Sequence, residues 1–263
     1  MFIIGEKINV MSKTIGPAMK ERNAEPIIAL AKEQLAAGAN FLDVNIGPAT
    51  RDGDAMMAWL VETIQGATND APLCLDTSNP SAMEAGLAVH KGKAIINSTS
   101  GAQERLDAMV PLAAKYNAMI IGLCTVEKGI PRDANARMAV AVDIMGACMV
   151  HGVPIDDLIL DPLVMPICVP GAQNQANEVF ESIRMFQQLN DPPPKTTLGL
   201  SNISNGVPPE TKPLVDRTFL AMLAACGLWS AIADPLDREL METVKSVGIL
   251  QDATVYCHSY LEL

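Results

Sequence analysis

Eight short apolar runs recur along the chain: Phe2–Ile4, Phe41–Ile46, Leu73–Leu75, Ala94–Ile96, Met119–Leu123, Leu158–Leu160, Thr196–Leu200 and Ala231–Ala233. Their hydrophobicity is continuous rather than alternating, which suits strands buried on both faces, as in a parallel sheet. Between them lie segments with helical spacing: Glu25–Ala37, Asp54–Thr68, Gln103–Tyr116, Asn135–Val150, Asn177–Leu189, Pro213–Cys226 and Asp237–Leu250. Strand and helix in alternation predict βα units. Gly38 and Gly152 fall where C-terminal helix caps belong, and Asn79 followed by Pro80 reads as an N-cap and a first helical residue. Eight such units within 263 residues predict one (β/α)8 TIM barrel, a single domain over 1–263. An open doubly wound α/β sheet is the alternative architecture.

Composition enters as a set of exclusions. With 49% hydrophobic and 19% charged residues, the chain has the makings of a large core and not of a disordered segment. Glu6 and Lys7 interrupt the first apolar run before it reaches signal-peptide length, and nothing approaches the run of about 18 apolar residues that a membrane helix requires. A cytoplasmic protein with no membrane contact is expected. The six cysteines are scattered with no Cys-x-x-Cys pair, so most are expected to be reduced and buried. A net charge of -11 argues against a nucleic-acid footprint, which needs clustered Lys and Arg.

The informative residues are those that end the apolar runs. Asp43 and Asn45 end the second, Asp76 the third, Asn97 the fourth, Asp161 the sixth, Ser201 and Asn202 the seventh, and Asp234 the eighth. Burying such groups without partners costs several kcal/mol each by order of magnitude, so their repeated placement calls for a reason. In a (β/α)8 barrel these positions converge on the C-terminal mouth, where active sites sit. Each Asp or Asn taken alone can instead cap a helix or tie a loop, and Asp43 and Asp234 are the best candidates for that structural role. Taken together the set predicts a ligand-binding rim.

The rim offers carboxylate acceptors from Asp76 and Asp161 and amides from Asn97 and Asn202, with little positive charge. That inventory suits a flat heterocycle carrying N–H, amino and carbonyl groups, such as a pterin. Neither His90, His151 nor His258 stands in a metal-ligand spacing, and no zinc or other metal is expected to take part. Oxygen ligands from Asp43, Asn45 and Asp76 leave a hard-cation site as an alternative. No phosphate-cradling Gly-x-x-x-x-Gly-Lys or nucleophile Gly-x-Ser-x-Gly pattern occurs, and the strand interiors hold no lysine for Schiff-base chemistry.

The stretches Ile4-Gly-Glu-Lys-Ile-Asn9, Leu42-Asp-Val-Asn45, Cys74-Leu-Asp-Thr77, Ile96-Asn-Ser-Thr99, Leu160-Asp-Pro-Leu163, Leu198-Gly-Leu-Ser-Asn202 and Asp216-Arg-Thr-Phe219 span nearly the whole chain. In content and order they resemble the methyltetrahydrofolate:corrinoid protein methyltransferases. Those enzymes are pterin-binding barrels, related to dihydropteroate synthase and to the folate module of methionine synthase. The resemblance implies that Asp76, Asn97 and Asp161 hold the amino and ring-nitrogen edge of the pterin. It implies that Gly199 and Ser201 form the pocket wall and that Asn202 meets the methyl-bearing ring nitrogen. The implied substrates are 5-methyltetrahydrofolate and tetrahydrofolate, the implied partner is a corrinoid (cobalamin) protein, and the implied assembly is a homodimer. The chain departs from the family at Lys7 (usually Arg), at Val10 (often Gly), at Cys124-Thr-Val-Glu127 and over Ile167–Asn177, all at the mouth. These departures bear on the partner and on the direction of transfer.

Two neighbouring activities fit less well. Dihydropteroate synthases carry a basic residue just after Gly-x-Ser, where this chain has Asn202, Ile203 and Ser204; a non-catalytic folate-binding scaffold is the other alternative. The Asp-x-His-x-x-Gly corrinoid signature is absent from the 263 residues, so the corrinoid is expected on another protein. Methyl transfer from the folate resembles a nucleophilic displacement in which a neutral tertiary amine leaves, and that nitrogen needs a proton or a hydrogen bond as the bond breaks. No histidine or obvious buried acid falls near the seventh strand end, which leaves the Asn202 amide, with water, as the expected catalytic group.

Overall fold

A computed structural model describes residues 1–49, 51–127, 129–172 and 174–256. The strands β1 (Phe2–Asn9), β2 (Phe41–Gly47), β3 (Leu73–Thr77), β4 (Ile95–Ser100), β5 (Met119–Leu123), β6 (Leu158–Asp161), β7 (Lys195–Thr196) and β8 (Ser230–Ala233) form one parallel sheet in the order β7-β6-β5-β4-β3-β2-β1-β8. Because β1 pairs with both β2 and β8, the sheet curls round instead of ending at its first strand. Closure comes from a parallel bridge between Gly199 and Ile232, where the Ile232 N–H donates to Leu198 O at 2.9 Å. The open doubly wound alternative is therefore set aside, and the fold is a (β/α)8 TIM barrel.

The helices α1 (Ile15–Lys20), α2 (Ala24–Ala36), α3 (Gly53–Ala67), α4 (Pro80–Val89), α5 (Gln103–Tyr116), α6 (Ala134–Val150), α7 (Gln175–Phe186), α8 (Lys212–Ala225) and α9 (Arg238–Leu250) occupy the connections. Their starts are set chemically. The Asn79 side chain accepts from the Ser81 and Ala82 N–H groups ahead of Pro80, and Asp133 and Asp237 accept from Ala136 and Leu240 in the same way. Each such cap contributes about 1 kcal/mol. Gly38 and Gly152 follow α2 and α6 with φ of +105° and +78°, a backbone region that side chains disfavour. Among the described residues no helix is long and apolar enough to cross a membrane.

Two strands differ from expectation. β1 does not stop at Ile4 but runs on to Asn9, because Glu6 and Lys7 open onto the barrel mouth rather than into apolar packing. β7 is only Lys195–Thr196, not Thr196–Leu200: after Leu198 the chain turns into a 3₁₀ segment, Leu200–Asn202. The segment between lends one hydrogen bond to each side, from Thr197 N–H to Leu160 O and from Ile232 N–H to Leu198 O, too few for a ladder.

Alternation along the strands sorts the core into layers. Ile8, Leu42, Val44, Leu73, Leu75, Ile96, Ile120 and Leu158 face outward and pack under the helices. Ile4, Cys74, Ile95, Met119, Ile121 and Ile159 face inward, with Phe41, Trp229 and Ile232 packed against them. Phe2 and Trp229 close the N-terminal end with ring centroids 4.8 Å apart. Each fully buried isoleucine of this kind contributes roughly 1.5–3 kcal/mol.

Candidate active site at the barrel mouth

Continuing five of the inward rows by two residues replaces an apolar lining with oxygen. Ile4 is followed by Glu6, Phe41 by Asp43 and Asn45, Cys74 by Asp76, Ile95 by Asn97, and Ile159 by Asp161. Neighbouring strands put Asn9, Asn45, Asp76 and Asn97 side by side in one register row. Bulges refine their aim: the register slips by one residue between Gly5 and Ile8, between Asn45 and Gly47, and between Asn97 and Thr99. An extra residue in a strand re-aims the side chains beside it, and in β1 it lets Glu6, Lys7 and Asn9 all face the mouth.

These side chains line a cavity of about 630 Å³ together with Met11, Ser12, Asp43, Gly199, Ser201, Asn202 and Ile232. On its floor the Asn45 amide donates to Asp76 and accepts from the Gly47 N–H at 2.9 Å. The Asn97 amide donates to Asp43 at 3.0 Å, so Asp43, almost fully buried, orients Asn97. Among the described residues no group of three or more His, Cys, Asp or Glu is arranged to hold a metal ion.

Across the cavity, the 3₁₀ turn presents Ser201 and Asn202. The Ser201 hydroxyl donates to Glu6 Oε2 at 3.1 Å. The Asn202 side chain is exposed to the cavity and makes no hydrogen bond among the described residues. It lies over Gly199, where an added Cβ would stand 2.9 Å from the Asn202 amide nitrogen, so a side chain at 199 would displace the amide. Lys7 reaches Asp234 at 2.7 Å, and Asp234 also accepts from the Leu236 N–H at 3.0 Å.

Asp161 stands apart from the residues with which it was grouped. It is buried at the end of β6, where one carboxyl oxygen accepts from the Leu163 N–H at 2.7 Å and the other, not sealed from solvent, has no partner among the described residues. Behind it lies Arg137, wholly buried, whose guanidinium donates to Gln175 at 2.6 Å. Asp76, Asn97, Gly199, Ser201 and Asn202 do share one cavity. Glu6 is the mouth residue not anticipated; its signal was a carboxylate two positions beyond Ile4, in step with the inward row. Cys74, Cys124, Cys148 and Cys226 are buried free thiols, whereas Cys168 is exposed, and Cys257 and His258 lie outside the described residues. His90 and His151 cap the ends of α4 and α6, away from the cavity.

The carboxyls of the mouth are under electrostatic stress. Burial pushes Asp76 up to about 6, against the hydrogen bond from Asn45. Asp43 is held well above the usual carboxylate range by burial and by the nearby charge of Asp76. Burial raises Asp161 to about 7, partly offset by the Leu163 N–H and by Arg137. Burial also raises Glu6, and Asp234 adds to it. Carboxyls kept this way are poised to accept hydrogen bonds from a ligand's N–H groups, which would restore their ionised form.

A family model described as pterin binding enzyme matches residues 5–234. The chain is 27% identical over 263 residues to a methylcorrinoid:tetrahydrofolate methyltransferase from Eubacterium limosum, a match that covers 99% of this chain and 94% of that protein. It is 29% identical over 241 residues to the methionine synthase of Mycobacterium tuberculosis, covering 88% of this chain but 20% of the longer protein. Among solved structures, the 7,8-dihydropteroate synthase of Vibrio fischeri superposes with a TM-score of 0.70 at 18% identity, covering 97% of this chain and 94% of that one. The synthase of Yersinia pestis gives 0.68 at 17% identity, covering 96% and 94%. At such identities the structural likeness bears on the barrel alone. With most of its length matched by the family model and its parallel barrel closed, the chain belongs to the pterin-binding enzyme family.

Proposed function

We propose that this protein moves a methyl group between 5-methyltetrahydrofolate and the cobalt of a corrinoid carried by a partner protein, working as a homodimer. The observation that carries this reading is the unpaired amide of Asn202, placed across the cavity from the carboxylate and amide floor of Asp76 and Asn97. A synthase that expels pyrophosphate needs a basic residue just after Gly-x-Ser, where this chain places Asn202, Ile203 and Ser204. The near full-length likeness to a methyltransferase supports the same branch of the family.

In this reading Asp76 and Asn97 accept from and donate to the amino and ring-nitrogen edge of the pterin, and Asp161 offers its free carboxyl oxygen to the same edge. Gly199 keeps the wall flat and Ser201 flanks the ring. Asn202 recognises the methyl-bearing nitrogen: its N–H donates to the electron pair that forms as the N–CH3 bond breaks. An interaction strengthened only as charge develops lowers the barrier more than it tightens binding. The corrinoid, when docked, supplies the cobalt that takes or gives the methyl group. The cavity holds the folate so that its methyl faces the open mouth, which converts part of the barrier into prior ordering.

The test is turnover with methyltetrahydrofolate and free cob(I)alamin, followed by the change in the cobalamin spectrum, beside equilibrium folate titration. Methyl exchange in both directions is expected. Tight folate binding without exchange would instead identify a folate-binding scaffold, and failure to bind folate would overturn the reading altogether.

A further inference from the structure

Resting on the methyl-transfer reading, we propose that Glu6 is the acid and base for the folate ring nitrogen, with the Ser201 hydroxyl handing the proton between them. Asn202 can donate a hydrogen bond but has no proton to give up, so a displacement that leaves an amine needs a separate source. Glu6 stands at the bulge of β1, lines the same cavity as Asn202, and contacts the neighbouring residue Ser201 at 3.1 Å. The cation nearest in sequence does not neutralise it, because Lys7 is turned to Asp234 at 2.7 Å. The groups facing Glu6 are Asp234 from the end of β8, Asp43 from β2, Lys7 from β1, Lys212 from α8 and Ser201 from the 3₁₀ turn. Burial and Asp234 favour its protonated form; Ser201, Lys7 and Lys212 oppose them. A half-buried carboxyl without an ion-pair partner among the described residues costs stability, and a proton-transfer role accounts for its presence in the mouth.

The step balances as follows. As the N–CH3 bond breaks, its electron pair stays on the ring nitrogen and the methyl passes to the cobalt of the partner's corrinoid. The nitrogen takes the Ser201 hydroxyl proton, Ser201 takes the proton of Glu6, and Glu6 is left as carboxylate. In the reverse direction the proton travels back and the nitrogen regains the methyl. A hydroxyl both donates and accepts, and its rotation allows the contact to run either way.

The test is Glu6→Gln, because an amide oxygen still accepts from Ser201 and preserves a merely structural contact. Single-turnover methyl transfer with methyltetrahydrofolate and cob(I)alamin should be measured across pH, with folate affinity alongside. The rate of methyl removal in the wild type should fall as pH rises through the titration of Glu6. In Glu6→Gln that limb should vanish and the rate should drop by about 100-fold, with folate affinity held within about twofold. Ser201→Ala should slow transfer by about tenfold or more on the same grounds. A Glu6→Gln rate within twofold of wild type, or equal losses of rate and affinity, would overturn the proposal. Wild-type speed in Ser201→Ala beside a slow Glu6→Gln would remove Ser201 from the path. Absence of transfer in the wild type would instead break the methyl-transfer reading itself, so the two failures are told apart.

Discussion

The two ends of the barrel interior are built from the same strands and do opposite things. At the N-terminal end and centre, Phe2, Trp229, Ile4, Cys74, Ile95, Ile121 and Ile159 fill the space with hydrocarbon and sulfur, and Ile4, Ile95, Ile121 and Ile159 are wholly buried. Two residues further along, Glu6, Asp43, Asp76 and Asp161 bring in carboxyls that burial pushes upward. One end therefore stabilises the fold while the other strains it. A single rise of the strand, about 7 Å for two residues, separates packing from chemistry.

The largest effect is expected at the stabilising end. Ile95→Ala, wholly buried and in register between Cys74 and Met119, should lower unfolding stability by about 3 kcal/mol in denaturant titrations. Folate affinity measured well below the midpoint should stay near wild type. A marked loss of affinity would mean that the two ends are coupled more tightly than their layered packing suggests.

At the strained end, Asn202→Ala should reduce the methyl-transfer rate by roughly 100-fold, about 3 kcal/mol, while weakening tetrahydrofolate binding far less. Stability should scarcely change, since Asn202 is exposed and makes no side-chain hydrogen bond among the described residues. Equal losses in rate and affinity would make it a residue of uniform binding.

Asp161→Asn sharpens the contrast because it should move stability and function in opposite directions. The folded protein holds a proton on Asp161 up to about pH 7, whereas an unfolded aspartate releases it near 4. In that window the native state binds more protons, so this group's contribution makes stability fall as pH rises from about 4 to about 7 and level off above. The asparagine variant should therefore match wild type near pH 4 and exceed it by about 1–3 kcal/mol at pH 8. Folate affinity should meanwhile fall by about 2 kcal/mol, since a pterin N–H loses its acceptor. In the wild type that affinity should weaken as pH drops below about 7, because binding favours the ionised carboxyl. Thermal unfolding and folate titration at pH 5 and pH 8 check both halves.

Much of the layered plan was legible in the sequence, and it was legible where the cause is local. The period of two along each strand carries Cys74 to Asp76 and Ile95 to Asn97, so the boundary between packing and rim can be read from residue types in order. The caps at Asn79, Gly38 and Gly152 are equally short-range. The end of β1 is hidden because a charged pair resembles the end of a buried strand, although an open mouth tolerates it and the strand runs on to Asn9. The shortness of β7 is hidden because apolar residues mark burial, and burial alone does not say whether a ladder partner lies in register.

The eight-unit rhythm, the inward rows and the identity of the groups that end them are written in the order of residues. Only the tertiary structure decided which of those groups meet. Ser201 contacts Glu6 across 195 positions of chain, and Lys7 takes Asp234 across 227, leaving Glu6 without an ion pair and the Asn202 side chain without a hydrogen bond among the described residues. Nor could the sequence show that Asp161 is tied to its own loop through the Leu163 N–H. Periodicity fixes the side of a strand on which a residue lies. Its partner depends on barrel closure and on bulges that shift register by one residue, and a hydrogen bond, with a reach of about 3 Å, is sensitive to both.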